Sequence, residues 1–299
     1  MTSNNTKPLV LVLGSTGQVG KLVVEALKQT SDVRIRVTSR KLEQVETLRQ
    51  QGQDAVYLDL DDPRTFAIAL HGVDKLFLVT GYTVAMLAQS KTIVDAAKKA
   101  GVKHIVHLGI FAQWDCTDPH FVWHQLIERY IEASGIAWTH LHPNVFMENL
   151  LGFLPIENDR LSMFWDNQRV GWVALKDVAA VAATILREAS DRFTGKDYWL
   201  STEVLNGEEI VAILSDVLGR KIDYVVKQPE DLQALMTSGA IPVETNYAEA
   251  SVEFMRQVID GRMGYIGSVR DDVPFVTGKP STSLREWAIA HKESLLLSN

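Results

Sequence analysis

Leu9-Val10-Leu11-Val12-Leu13-Gly14-Ser15-Thr16-Gly17-Gln18-Val19-Gly20-Lys21-Leu22-Val23-Val24-Glu25-Ala26-Leu27 reads as a buried strand, a glycine turn and an amphipathic helix. Glycines are needed where the chain turns sharply, where backbone approaches a pyrophosphate and where helix packs closely on strand; the helix N-terminus adds free N–H donors and positive potential. Residues Gly14, Ser15, Thr16, Gly17, Gln18, Val19 and Gly20 therefore form a candidate dinucleotide seat. The spacing is GxxGxxG, not GxGxxG, so the reading rests on the flanking strand and helix; an ordinary glycine-rich turn is the alternative. A second signal stands where the next strand ends. Val33–Val37 alternates apolar and polar residues and leads into Thr38-Ser39-Arg40-Lys41. In a Rossmann unit this tip meets the adenosine ribose, where an acid favours a free 2′-hydroxyl and an arginine accommodates a 2′-phosphate. Ser39, Arg40 and Lys41 thus favour NADP(H), although Lys41 also suits the start of a solvated helix.

The remainder of the chain narrows the class. Its 299 residues are 46% hydrophobic, which suits a globular protein with a full core. The net charge of -7, with no Lys/Arg-rich block, opposes a polyanion-binding surface, so nucleic acid is not an expected partner. The first residues are polar, and no apolar run approaches the roughly 20 residues of a membrane span. A cytoplasmic protein, monomeric or homodimeric and off the membrane, is the expectation. Cys116 is the single cysteine, which precludes an intrachain disulfide and argues against a cysteine-based metal site; it reads as structural.

Strand-like and helix-like segments alternate: a helix over Leu42–Gln51, a strand over Ala55–Leu58, a strand over Lys75–Val79, a helix over Ala85–Ala100, a strand over His104–Leu108, a helix over Val122–Ser134 and a strand over Ala137–Leu141. This is the rhythm of an α/β, doubly wound parallel Rossmann sheet with helices on both faces. After Pro143 the intervals lengthen. Helices are expected over Lys176–Glu188, after Asn206-Gly207, over Asp231–Thr237, Ala248–Asp260 and Leu284–Leu296, and strands over Tyr198–Leu200 and Ile222–Val226. The expected organisation is a cofactor-binding domain over 1–150 and a smaller, interleaved α+β substrate domain over 151–299, with about 170–201 rejoining the first.

Gly14–Gly20, Thr38-Ser39-Arg40, Leu141-His142-Pro143-Asn144-Val145-Phe146-Met147-Glu148-Asn149, Lys176-Asp177-Val178-Ala179 and the closing Thr277–Trp287 resemble the NmrA-like branch of the atypical short-chain dehydrogenase/reductase family. The resemblance implies NADPH-dependent reduction of quinones, dyes, enones or iminium-type substrates, or else a cofactor-sensing regulator without turnover. It also implies that Thr80 and Gly81 lie along the adenosine, Asp59 and Leu60 near the adenine, and Pro143, Asn144 and Val145 near the nicotinamide. Each follows an expected strand, where ligands of such sheets bind. Asp59 equally suits a helix cap, and Asn144 a turn.

The wider family carries Tyr-x-x-x-Lys on the helix after strand five, with a serine at that strand's end. Counting back from Gly135 places His120 and His124 at those positions, and Gly109-Ile110 where the serine would stand. The usual proton relay is therefore missing. Three readings of the histidines stay open. A metal pair lacks a neighbouring third ligand; a structural role has His120 capping the helix and His124 bonding a carbonyl; a functional role has His124 on the cofactor ribose and His120 as acid, its ordinary pKa suiting proton donation near neutrality. Acceptors whose charge delocalises on hydride addition need less acid assistance. Phe111, Trp114, Phe121, Trp123, Phe146 and Phe164 are candidate walls for such a flat substrate, though each equally suits a core.

Overall fold

A computed structural model describes residues 7–188, 191–237 and 244–297. Strand β1 (Leu9–Val12) is buried along its whole length, as an apolar run covered on both faces must be. It lies in a sheet with β2 (Arg34–Ser39), β3 (Asp54–Tyr57), β4 (Lys75–Leu78), β5 (His104–Leu108) and β6 (Ala137–Pro143). Four short strands follow outside it: β7 (Val145–Phe146), β8 (Ile156–Glu157), β9 (Arg160–Met163) and β10 (Val170–Val173). Then come β11 (Lys196–Ser201), β12 (Glu203–Leu205), β13 (Asp223–Val226) and β14 (Arg270–Asp271). The main sheet is eight-stranded, in the order β14-β11-β6-β5-β4-β1-β2-β3; only the β11–β14 pairing is antiparallel. Two three-stranded sheets, β12-β10-β7 and β13-β9-β8, hold the other strands of the described residues.

The helices are α1 (Gln18–Lys28), α2 (Leu42–Gln50), α3 (Phe66–Leu70), α4 (Met86–Ala100), α5 (Pro119–Ser134) and α6 (Leu175–Arg187). They continue with α7 (Gly207–Leu218), α8 (Pro229–Thr237), α9 (Thr245–Ile259), α10 (Val273–Thr277), α11 (Leu284–Ala290) and α12 (Lys292–Leu297). Alternation along β1 divides the core. Val10 and Val12 meet α1, α6 and α10, whereas Leu9 and Leu11 meet α3, α4 and α5. A third cluster gathers the small sheets with α7, α8, α9 and α11. The fold is thus mixed α/β, a large, mostly parallel sheet with helices on both faces.

Several boundaries differ from the sequence reading, and three of them have a visible cause. Helix α5 starts at Pro119, not Val122, because Asp118 Oδ1 accepts from the Phe121 N–H at 3.0 Å and proline tolerates the first helical position. Strand β6 runs on through Pro143, whose carbonyl accepts from the Phe111 N–H at 3.0 Å. The expected terminal helix breaks at His291, whose backbone (φ -108, ψ 15) leaves the helical region between α11 and α12.

The motifs of the family resemblance knit these parts together. Glu148 accepts from the Leu175 N–H and from Trp287 Nε1, both at 3.0 Å. Asp177 accepts from the Thr282 N–H at 2.7 Å and its hydroxyl at 2.9 Å. The closing segment is thereby fastened to the start of α6.

Candidate functional site

At the end of β1, Gly14 adopts φ +60, and a Cβ there would lie 2.7 Å from Val79 Cγ1. A Cβ on Gly20 would run into the Gly14 carbonyl, so α1 can begin this close to the turn only with glycine at that position. Gly17 caps α1 without a side-chain bond and the first turn holds no acid. The N–H groups of Gln18, Val19 and Gly20 thus lack partners within the helix and face the turn as an anion cradle. These residues fit a dinucleotide pyrophosphate.

The Ser15 hydroxyl is already committed. It donates to the Thr38 carbonyl at 2.8 Å and accepts from the Thr38 N–H at 2.9 Å, pinning the turn to β2. Ser39 Oγ accepts from the Lys41 N–H at 3.0 Å and donates to Gln44 at 2.7 Å. Arg40 and Lys41, in contrast, are exposed, and no side-chain partner holds either among the described residues. Thr16 and Gln18 are exposed beside the cradle. Asp59 Oδ1 accepts from the Asp61 N–H at 3.1 Å, Leu60 packs on the α3–α4 core, Thr80 is half-buried and Gly81 is exposed.

At the β6 end, Asn144 is consumed by the fold. Its Nδ2 donates to the Ile266 carbonyl at 2.8 Å and to Ser201 at 3.3 Å, while Oδ1 accepts from the Val145 N–H at 3.0 Å. Both ends of the amide are occupied, which leaves no free edge for a carboxamide; Pro143 is buried within β6 and Val145 pairs in β7. His120 and His124 lie together, ring centroids 5.0 Å apart. The cap of α5 is Asp118, not His120, and His124 Nδ1 has no partner among the described residues. Burial pushes the His120 pKa down to about 4 and His124 well below its ordinary value, the neighbouring histidines adding to the latter. Both are neutral at pH 7, so His120 offers an N–H rather than the imidazolium expected of it.

The sequence reading passed over Tyr82 and Tyr247. Tyr247 of α9 lies 4.9 Å from the His120 ring and 5.4 Å from Tyr82, which follows Thr80-Gly81. The Val84 N–H donates to Glu244 at 2.9 Å, so the C-terminal part of the chain meets the β4 loop here. Only contacts distant in sequence create this corner.

The six aromatic candidates separate. Phe121 and Phe164 are in the apolar core, Phe121 stacked on Phe254 at 5.2 Å; Phe146 and Trp123 pack on the two clusters flanking the main sheet. Phe111 and Trp114 line a cavity of about 290 Å³ on the other flank of α5, with Glu128, His142, Asp197, Trp199 and Arg270. Trp199 stacks on His142 at 4.3 Å. Burial raises the Glu128 pKa to about 7. Burial alone would depress His142, but Asp197, Glu128 and the Ile110 carbonyl outweigh it and raise the pKa. Cys116 is half-buried, its thiol pushed up to about 11 by burial and by Asp118 and Asp115, so it is no nucleophile.

A parallel sheet ordered 3-2-1-4-5-6, a glycine cradle at its first βα junction and unpaired cations after its second strand define a dinucleotide-binding Rossmann protein. Residues 6–274 match the NmrA-like family, and the chain belongs to it. It is 32% identical to the NAD(P)H azoreductase of Xenophilus azovorans over 95% of this chain and 98% of that one. It is 27% identical to quinone oxidoreductase 2 of Escherichia coli over 78% and 83%. The Citrobacter sp. triphenylmethane reductase complexed with NADP(H) superposes with a TM-score of 0.80 at 25% identity, over 97% and 99% of the two chains.

Proposed function

We propose that this chain is an NADPH-dependent reductase of planar, conjugated acceptors such as quinones, azo compounds, enones and cationic dyes. NADPH, when bound, supplies a hydride. The N–H groups of Gln18, Val19 and Gly20 hold its pyrophosphate, and Arg40 with Lys41 pair with its 2′-phosphate. His124 lies toward the nicotinamide ribose, and His120 directs its N–H at the atom of the acceptor on which negative charge develops. Tyr247, packed against the His120 ring, shields the site from water, with the exposed Tyr82 ring beside it.

One observation supports this reading: His120 and His124, at the positions that the family resemblance assigns to a tyrosine and a lysine, are both neutral imidazoles. A conjugated acceptor spreads the added charge, and a cationic dye loses its charge altogether, so neither needs a strong acid. The names of the azoreductase, quinone and triphenylmethane dye relatives support the same acceptor class. Enzyme and NADPH are mixed with quinones, azo compounds and triphenylmethane dyes while nicotinamide absorbance is followed. Acceptor-dependent oxidation is expected. Silence across the panel, with oxidised and reduced cofactor bound at clearly different affinities in calorimetry, would identify a redox sensor instead.

A further inference from the structure

This inference rests on the reductase reading. Beneath His120, helix α5 carries His124, Glu128 and Glu132 at four-residue intervals along one ridge. The strands under that ridge present His107 from β5 and, on alternate residues of β6, His140 and His142; His107 and His140 are register partners. The rings follow one another without interruption, with centroid separations of 5.0 Å for His120–His124, 5.9 Å for His124–His107, 5.3 Å for His107–His140 and 6.2 Å for His140–His142. At the far end His142 is held at both nitrogens, Nε2 lying 2.9 Å from Asp197 and Nδ1 donating to the Ile110 carbonyl at 2.9 Å, while Asp197, Glu128 and Glu132 all wall the cavity beside α5. Glu132 lies 3.7 Å from His140, and Tyr247 of α9 closes the His120 end.

Buried polar atoms in native structures nearly always have partners. Here His120 Nε2, His124 Nδ1 and both ring nitrogens of His107 and His140 have no hydrogen-bond partner among the described residues. Nor does any group of His, Cys, Asp and Glu among those residues converge tightly enough to hold a metal ion. What remains is a row of buried imidazoles with no hydrogen bond between their rings, along which a proton passes through bridging waters. A neutral imidazole can take a proton at one nitrogen and release one from the other.

We propose that His140, His107 and His124 form a proton relay from Glu132, at the edge of the cavity, to His120 and so to the acceptor. Reduction of a quinone or azo bond consumes one hydride, from NADPH, and one proton, from solvent in the cavity; the dihydro product and NADP+ leave. Each imidazole gains a proton on its cavity side as it loses one on the other, then turns before the next turnover. A cationic triphenylmethane dye takes hydride alone and becomes neutral, so its reduction needs no relay.

That difference provides the test. With a quinone as acceptor, His107→Leu and His140→Phe lower kcat by at least about 10-fold and enlarge the solvent deuterium isotope effect; dye reduction and NADPH affinity stay within about twofold. Equal loss on both acceptors, or loss on neither, overturns the relay. Should a variant fail to fold, His107→Gln keeps a polar side chain that cannot pass a proton between two nitrogens, and the same split is expected. In the cofactor-free wild type, nitrogen-15 NMR should show His107 and His140 exchanging between tautomers; rings locked in one tautomer overturn the proposal. A wild type that fails to oxidise NADPH with every acceptor of the panel refutes the reductase reading, and the NMR result then judges the relay alone.

Discussion

Arg40 and Asn144 illustrate opposite fates of candidate binding residues. Arg40 stands exposed at the end of β2 with no side-chain partner among the described residues, and a guanidinium in that state can clasp a phosphate without first breaking a bond. Arg40→Asp should weaken NADPH binding on the order of 10- to 100-fold and NADH binding only a few-fold, since the charged contact contributes about 1.5–3 kcal/mol. Titration calorimetry with both cofactors measures the ratio, and equal weakening would remove Arg40 from the 2′-phosphate. Asn144 is spent on the Ile266 carbonyl, the Ser201 hydroxyl and the Val145 N–H. Asn144→Ala leaves a buried carbonyl unpaired and should cost about 1–3 kcal/mol in denaturant unfolding, with little change in NADPH affinity. A variant of unchanged stability that loses cofactor binding would reinstate Asn144 as a nicotinamide contact.

At the scale of elements, the turn between β1 and α1 is the most constrained local feature, because Gly14 needs positive φ and Gly20 abuts the Gly14 carbonyl. Gly20→Val should push α1 away, destabilise the protein by about 1–3 kcal/mol and reduce NADPH affinity more than 10-fold, as the N–H cradle moves with the helix. Unaltered affinity would mean that the pyrophosphate sits elsewhere. This turn was legible in the sequence because its determinants are adjacent: a fully apolar strand, glycines at fixed spacing and an amphipathic helix. The same holds for α4, which stops at Gly101 (φ +82), and for α7, whose Asn206–Glu209 capping box marks its start. Strands β7 and β8 were not legible; two residues in a strand show no periodicity, and the pairing of β7 with β10 joins segments far apart in sequence. The site divided in the same way. The cradle is local, but the corner of Tyr82, Tyr247 and His120 and the row of histidines between α5 and β6 exist only after the sheet has assembled. One signal was present unread: His140 and His142, on alternate residues of a strand, had to share a face opposite the helix bearing His120 and His124.

For the molecule as a whole, burying so many imidazoles makes stability depend on pH. Burial holds His104 and His120 at about 4 and His140 at about 3, and His107 and His124 well below the ordinary histidine value of 6.5. Below 6.5 the unfolded chain takes up protons at these residues while the folded chain does not. Their contribution is therefore complete above 6.5 and is lost as pH falls toward the folded values. Carboxyls oppose the trend. Asp118 and Glu128, raised by burial to about 7, stay protonated in the folded state after their unfolded counterparts ionise, so their contribution is complete in acid and is lost as pH rises to about 7. Burial also raises Glu148, Asp177 and Asp272, each restrained by hydrogen bonds that favour the ionised form. Between pH 5 and 6.5 the unfolded state binds the greater number of protons, so stability should rise with pH by about 1–4 kcal/mol per unit, at about 1.4 kcal/mol per unit for each proton. Denaturant unfolding of the cofactor-free protein across that range measures the slope. His107→Leu removes one buried imidazole and should reduce the slope by close to one proton's share. A flat profile in the wild type, or an unchanged slope in the variant, would mean that the row between α5 and the sheet is charged in the folded state instead of neutral.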